Sequence, residues 1–484
     1  MKGDIRQRYF HLALLSLYYS ILMPYCSKYP MYSQRTLRSL VPFCLLVAAE
    51  AYTVFNPDCS KPTTTYNFVS NPDSRSTLDI LWSSLFTLLA CTWTIQHPNI
   101  PEQRSGRSPG WKGDIRWGLK SLWATIKLAC VTVLAPEIII TVATVDLLIA
   151  RRGCRDTRAE FEDDIVPWTL SHSHFADMGG FVIRVSVKSE GEHTSISELP
   201  YHNPYHLSGL DVLNLRRQGH IPRLPLITEE DIHDRSKADP VLKCIAVIQI
   251  LFSTLQTIVR AFRDLTVSLL ELAVVAFAVC AVIIYALYWK KPKSVHSTVT
   301  LLEYQGEIPP DILGILDKEN DREGLVREFL FPFKVPFRHG KMHRIHGEPF
   351  NNTGAGWDTV RTSTAMVPST AISGWGATTL FGAVHVVGWN FSFPTRGEQI
   401  AWRAASLYTA CFGVMFILGM ILTIFASRAV DFVPDSSWMW WICIISWLYL
   451  LARLFILVEI IRTLFFLPPD AYVSTWVLNL PHFT

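Results

Sequence analysis

Between Leu265 and Trp289 the chain is apolar almost without interruption, and Glu271 is its one charged residue. A membrane helix needs about 20 predominantly apolar residues to cross roughly 30 Å of hydrocarbon. Further blocks of that kind run over Ile80–Gln96, Leu128–Ile149, Ala371–Phe391, Ala404–Phe425 and Trp438–Val458. In lipid every backbone N–H and C=O must be satisfied within the protein, which leaves helices as the natural form for such blocks. Hydrophobic residues make up 50% of the chain and charged ones 18%, below the roughly 25% charged of soluble domains. The expected fold is an all-α membrane bundle of about six to seven transmembrane helices. Amphipathic interfacial helices and two polar segments accompany it, one of the segments partly mixed α/β.

The blocks divide the chain. Residues 1–55 read as an irregular N-terminus. It includes Arg35, Arg38, an apolar run and Ala49-Glu50-Ala51, the layout of a secretory signal with an A-x-A cleavage site or of an uncleaved signal-anchor. Met31 is an alternative start. Residues 56–150 form a first membrane section, with spans near 80–96 and 128–149. Residues 151–241 are a polar segment containing the strand-like GGFVIRVSVK. Residues 242–291 combine an amphipathic helix, Leu242–Phe262, with the span at 265–289. Residues 292–368 are a basic juxtamembrane segment, and 369–484 a C-terminal membrane section with spans near 371–391, 404–425 and 438–458. Trp117–Lys127 reads as a second surface helix. Tryptophans at block ends (Trp117, Trp289, Trp402, Trp438, Trp440, Trp441) fit an interfacial belt. The cluster after Trp289, with Lys290 and Lys291, marks a cytoplasmic end. Counting spans from there puts Arg151, Arg152 and Arg155 on the lumenal side, against the same rule, unless Leu128–Ile149 is re-entrant.

Several chemistries are excluded. A net charge of +3 gives no footprint for nucleic acid. The ten cysteines show no CxxC or zinc-type spacing. No Walker loop, dinucleotide fingerprint, G-x-S-x-G or H-E-x-x-H occurs, so no cofactor is expected.

What remains is ionisable residues inside apolar blocks, where a charge costs at least ~2.5–3.5 kcal/mol and normally turns inward to a partner. Glu137 shares a helical stripe with Thr141 and Thr144. Asp146 faces the other way and is expected to pair with Arg151 or Arg152. Glu271 lies on a second stripe, with Ser268, Val275, Ala278, Val282 and Tyr285. A third stripe runs through Trp375, Thr378, Gly382, His385 and Trp389. Were the three faces to meet, Glu137, Glu271 and His385 would share one cavity as candidate catalytic residues. A neutral acid beside indole faces is what proton-initiated cyclisation requires. The bland alternative is carboxylates that hydrogen-bond within the bundle and lock it. Arg453 is the other intramembrane charge, with Glu271 a possible partner. His172, His174 and Asp177 are weak metal candidates, and no metal is expected. Lys334–Arg344, with His339 and His343, reads as a patch on anionic lipid headgroups. The sequons at Asn351 and Asn390 are expected to go unused.

The stretches CTWTIQHPNIPEQ, LAPEIII, HSHFADMGGFVI, ITEEDIHDRSKAD, ALYWKKPKSV, FGAVHVVGWNFSFPTRGEQIAWRAAS and WVLNLPHF occur in that order. Together the chain from about residue 80 to its end resembles a large fungal family of polytopic integral membrane proteins of uncharacterised function. The resemblance implies a fungal source and a multi-pass architecture, and supplies no chemistry. The expected setting is the endoplasmic reticulum, another endomembrane or the plasma membrane. The functional expectation is a cofactor-free membrane enzyme of secondary metabolism that cyclises a prenylated or epoxidised lipophilic isoprenoid substrate by acid catalysis. The alternative is a membrane transporter or a non-enzymatic accessory or scaffold protein.

Overall fold

A computed structural model describes residues 74–103, 110–158, 160–186, 199, 201–224, 226–236, 240–316, 347–350, 366–429 and 437–480. The signal-like stretch, the Lys334–Arg344 patch and the Asn351 sequon lie outside these residues.

The first helix, α1 (Thr77–Ile95), starts where Ser76 and Asp79 close a capping box, satisfying two otherwise orphaned N–H groups. There follow α2 (Trp111–Leu134), α3 (Pro136–Arg158) and the short α4 (Leu170–Asp177). Next come β1 (Phe181–Ser186), β2 (Tyr205–Leu207), α5 (Gly209–Arg217) and α6 (Glu229–Asp234). Helices α7 (Pro240–Phe262) and α8 (Leu269–Leu287) precede β3 (Val299–Gln305) and α9 (Pro310–Leu316). The chain closes with α10 (Met366–Val386), α11 (Arg396–Ala429) and α12 (Ser437–Thr463).

Among the described residues five helices are long and apolar enough to cross a membrane: α1, α2, Lys243–Phe262 of α7, α8, and Ile444–Phe466 from α12 into the turn after it. The chain is therefore mostly helical and compatible with a multi-pass membrane protein. Two of the five differ from the sequence expectation. Trp117–Lys127 and Leu242–Phe262 read as surface helices, but the first belongs to a longer run with few charges, and the second is itself long and apolar enough over Lys243–Phe262, with Lys243 and Arg260 its charges. For α2 that run continues through Leu128–Leu134; its outer flank stays apolar, with Ile115, Leu119, Leu122, Trp123 and Ile126 all exposed.

A further correction concerns the expected span Leu128–Ile149, which is not one helix. Helix α2 ends at Leu134, and α3 begins at Pro136. Proline lacks the N–H that would continue the ladder and clashes with the preceding turn, yet suits a first helical position. The chain turns back there. Asp146 of α3 binds Lys291, just past α8, at 2.7 Å, and Ser171 of α4 donates to the carbonyl of Lys290. Lys293 donates to the carbonyl of Thr94 at the end of α1. The C-terminal ends of α1, α3 and α8 thus gather at one end of the bundle. Arg151, Arg152 and Arg155 return to the end that carries Lys290 and Lys291, which removes the conflict in the charge count.

At that end sits a small polar domain. Its sheet has the order β2-β1-β3. Strand β1 pairs antiparallel with β2, Phe181 opposite Leu207, and parallel with β3 from Phe181–Val299 to Ser186–Gln305. The two polar segments, separate in sequence, share one core of Phe161, Trp168, Phe175, Phe181, Tyr205, Ile232, Val295 and Ile312. The MGGF turn that leads into β1 needs its glycines. Gly179 has φ +82°, and a Cβ on Gly180 would fall 2.4 Å from the ring of Phe175.

Candidate functional site

A helix broken inside a bundle leaves carbonyls without partners on one side and N–H groups on the other. Where α2 stops, the carbonyl of Leu134 accepts from Arg453 Nε of α12 at 2.9 Å. Where α3 starts, Glu137 stands in the first turn. A cation thus meets the negative end of one half-helix and an anion the positive end of the next, the placement the helix dipoles favour. Both side chains are buried, Glu137 at 2% and Arg453 at 1% exposure. The Tyr449 hydroxyl donates to Glu137 Oε1, and Arg453 acts on Glu137 electrostatically. Two atoms stay unmatched: Glu137 Oε2 and Arg453 Nη2 have no hydrogen-bond partner.

His385 belongs to this centre. Its Nδ1 lies 2.9 Å from the carbonyl of Phe381, and its ring packs against Phe381 and Trp402. The Arg453 guanidinium stacks 4.0 Å from the centroid of Phe381 and bears electrostatically on His385. The expected Glu137–Thr141–Thr144 stripe forms the seam with α10. There Thr144 meets the hydroxyl of Ser373 at 2.7 Å, and Gly374 leaves room for Thr141. Gly382 lets α10 and α11 touch: a Cβ there would stand 2.3 Å from the backbone nitrogen of Ala410.

Glu271 lies apart from that centre, and its expected partner Arg453 is not the one it has. Its carboxylate caps its own helix through Ser268 and pairs with Arg75 at 2.5 and 3.3 Å. Arg75 and the fully buried Arg260 also bind carbonyls of Asp470, Ala471 and Val473. This second centre ties the C-terminal segment to the start of α1. Cys280, on the same helix as Glu271, lies within electrostatic reach of Glu137 and Arg453. Nine residues of helix, about 13 Å, separate Glu271 from Cys280.

A third centre occupies the junction between bundle and polar domain. Asp146, expected to pair with Arg151 or Arg152, instead accepts from Lys291 at 2.7 Å and from the Tyr288 hydroxyl at 2.9 Å. The ring of His97 packs on Tyr288 with centroids 4.8 Å apart. Burial pushes His97 down to about 3, with Lys291, Lys293 and Lys243 adding to the effect. Burial and the same lysine face hold His174 well below the usual histidine range. Burial and the neighbouring Lys243 bring Lys293 down to about 8.

Two of the weak metal candidates, His172 and Asp177, have structural roles. His172 Nδ1 accepts from the Thr169 backbone at 3.2 Å, and its Nε2 donates to the carbonyl of Ile227 at 2.9 Å, so neither nitrogen is left for a metal. Asp177 Oδ1 accepts from the Gly209 N–H. Among the described residues no group of three His, Cys, Asp or Glu could hold a metal ion. Sequence reasoning missed Tyr449, Arg75, Arg260 and Lys291 as partners. For Arg75 the one available signal was a lone cation directly before a helix cap.

The profile of a family of unknown function, DUF8562, matches residues 46–313, more than half of the 484 residues. The matched region carries the broken α2–α3 hairpin, the polar domain and α8. The helices that supply His385, Tyr449 and Arg453 follow it. No curated protein and no solved structure matches the chain.

Proposed function

The chain belongs to DUF8562, a family of unknown function, and we propose that it is a multi-pass membrane protein built around a proton-exchanging transport centre at Glu137. One observation carries the reading: the α2–α3 break sets a buried carboxylate and a buried guanidinium at facing half-helix ends, and each keeps an unpartnered polar atom. Interrupted helices at membrane depth line solute or ion sites in transporters, where half-helix ends do the binding. An orphaned acceptor and an orphaned donor at one helix break suit a proton, a water or a small solute group able to both give and take a hydrogen bond. The end carrying Arg151, Arg152, Lys290 and Lys291 is the cytoplasmic one on this reading. The motif order supports a fungal endomembrane or plasma membrane.

A second reading, acid-catalysed cyclisation of a lipophilic isoprenoid, has Glu137 beside the Tyr449 hydroxyl and the rings of Phe381 and His385 in the same centre in its favour. It retains Glu137 and His385 and gives up Glu271, whose carboxylate is held by Arg75 and Ser268. It also asks for a substrate-sized space beside Glu137.

Infrared difference spectroscopy of the purified protein in liposomes tests the first reading. Acidification is expected to raise a carboxylic C=O band that Glu137→Gln abolishes, with dye-reported proton uptake falling in step. Identical spectra for wild type and Glu137→Gln at equal folded protein would refute it. A cyclic product formed from a prenylated epoxide and lost in Glu137→Gln would establish the second.

A further inference from the structure

A cavity of about 400 Å³ opens where α2 passes the loop after α1 and the stretch after α8. One flank of α2 lines it with Trp117, Lys120, Ser121, Ala124, Thr125 and Leu128, a stripe at helical spacing. The opposite flank of the same helix is the exposed apolar face of Ile115, Leu119, Leu122 and Ile126. The groove therefore lies behind a helix whose outer surface suits hydrocarbon, at the end of the bundle rich in lysine and tryptophan.

The groove is built for an anion. Gln96, at 6% exposure, lines it, and its amide nitrogen has no hydrogen-bond partner. Lys293, at 9% exposure, also lines it. Its ammonium spends two donors on the carbonyls of Thr94 and Trp93, at 2.7 and 3.3 Å, and an ammonium has three. Lys120 stands at the rim. The carboxylate in the groove, Glu102, is already neutralised by Lys120 at 2.7 Å and approached by His202 at 3.2 Å. Two donors thus belong to the lining, which offers no free acidic group to meet them. The volume lies in the range of small-molecule sites, roughly 300–1,000 Å³. Trp93, 55% exposed, and Trp117 add amphipathic rings of the kind that sit at headgroup depth.

We infer that this groove holds the phosphate of an anionic phospholipid, with the amide of Gln96 and the ammonium of Lys293 as its donors and the acyl chains leaving past the rings of Trp93 and Trp117 toward the hydrocarbon beside α2. A soluble phosphate would share the donors and have no use for those rings. The site is separate from the Glu137 centre and stands or falls independently of it.

The test is native mass spectrometry of the full chain in detergent, titrated with phosphatidic acid and with phosphatidylcholine. Wild type is expected to retain phosphatidic acid preferentially. Gln96→Leu removes a donor that serves no contact within the protein, so the fold should be kept. It is expected to weaken retention about tenfold, the loss of one hydrogen bond to a charged group. Lys293→Met should weaken it further, with the melting temperature read alongside because Lys293 also holds the end of α1. Equal retention of both lipids, or unchanged retention in Gln96→Leu, would overturn the proposal. Displacement of the lipid by millimolar inorganic phosphate as effective as a short-chain phosphatidic acid would overturn the assignment to a lipid.

Discussion

Replacing Arg453 by leucine keeps most of the apolar volume over Phe381 and deletes the guanidinium between the half-helices. Two costs follow from the geometry. Glu137, 2% exposed, loses the cation that bears on it electrostatically, and leaving a buried charge uncompensated costs about 3–5 kcal/mol. The carbonyl of Leu134 loses its donor, and an unsatisfied buried acceptor costs about 1–3 kcal/mol. The terms overlap, since one side chain serves both, and we expect Arg453→Leu to destabilise by about 4–6 kcal/mol. Glu137→Gln removes the carboxylate and leaves the guanidinium unmatched, for about 3 kcal/mol by the same reasoning. The double variant holds no uncompensated charge and keeps only the carbonyl defect. Its cost is expected to fall at least ~2 kcal/mol below the sum of the singles, within the range seen for directly coupled sites. Reversible unfolding in mixed micelles, followed by tryptophan fluorescence over increasing dodecyl sulfate, measures all four corners of the cycle. Single-variant costs that add to within about 0.5 kcal/mol would mean that the two residues act independently, and the account of the broken helix would be wrong.

Other perturbations probe the remaining centres. Arg75→Met leaves Glu271 buried without its cation and should cost about 3–5 kcal/mol, and limited proteolysis should then cut residues 468–480 sooner than in wild type. His97 has a folded pKa depressed to about 3 by burial. Below about pH 6.5 the unfolded chain binds a proton that the folded one refuses, so its contribution is complete above pH 6.5 and shrinks as the pH falls. At pH 5 the loss from His97 is about 2 kcal/mol, at 1.36 kcal/mol per unit, and His174 adds in the same direction. A melting temperature that does not fall between pH 7 and pH 5 would contradict this. Gly382→Val drives a side chain into the backbone of Ala410 and should cost about 1–3 kcal/mol or more by overpacking, seen as early loss of the monodisperse peak on heating. Retention of phosphatidic acid should decline as the pH rises through about 8, where Lys293 loses its proton beside Lys243.

The apolar blocks made the helices legible because a membrane helix is written in one local variable, uninterrupted hydrophobicity. The Glu137 problem was legible too: a carboxylate in such a block demands a partner. Which partner was not. Arg453 sits more than 300 residues away, and only the turn-back at Pro136 brings it to the end of α2 rather than to Glu271. That proline was visible, and a window average counted it as one mildly polar residue instead of a broken hydrogen-bond ladder. The two polar stretches were each read alone because the pairing of β1 with β3 is non-local. Strand β3, partly exposed on every residue, has too weak an alternation to announce its partner.

That pairing has a consequence for how the protein is made. β1 leaves the ribosome early, and the strand that closes its other edge is not synthesised until α7 and α8 have been made and the chain has come back to the same end of the bundle. The core around Phe181 therefore waits, with one sheet edge open, for Val295, Val299 and Ile312. Were only one of α7 and α8 to cross a bilayer, β3 would emerge on the far side from β1 and the domain could not close. The sheet can therefore be completed only when the helical hairpin between its strands returns to the side it left.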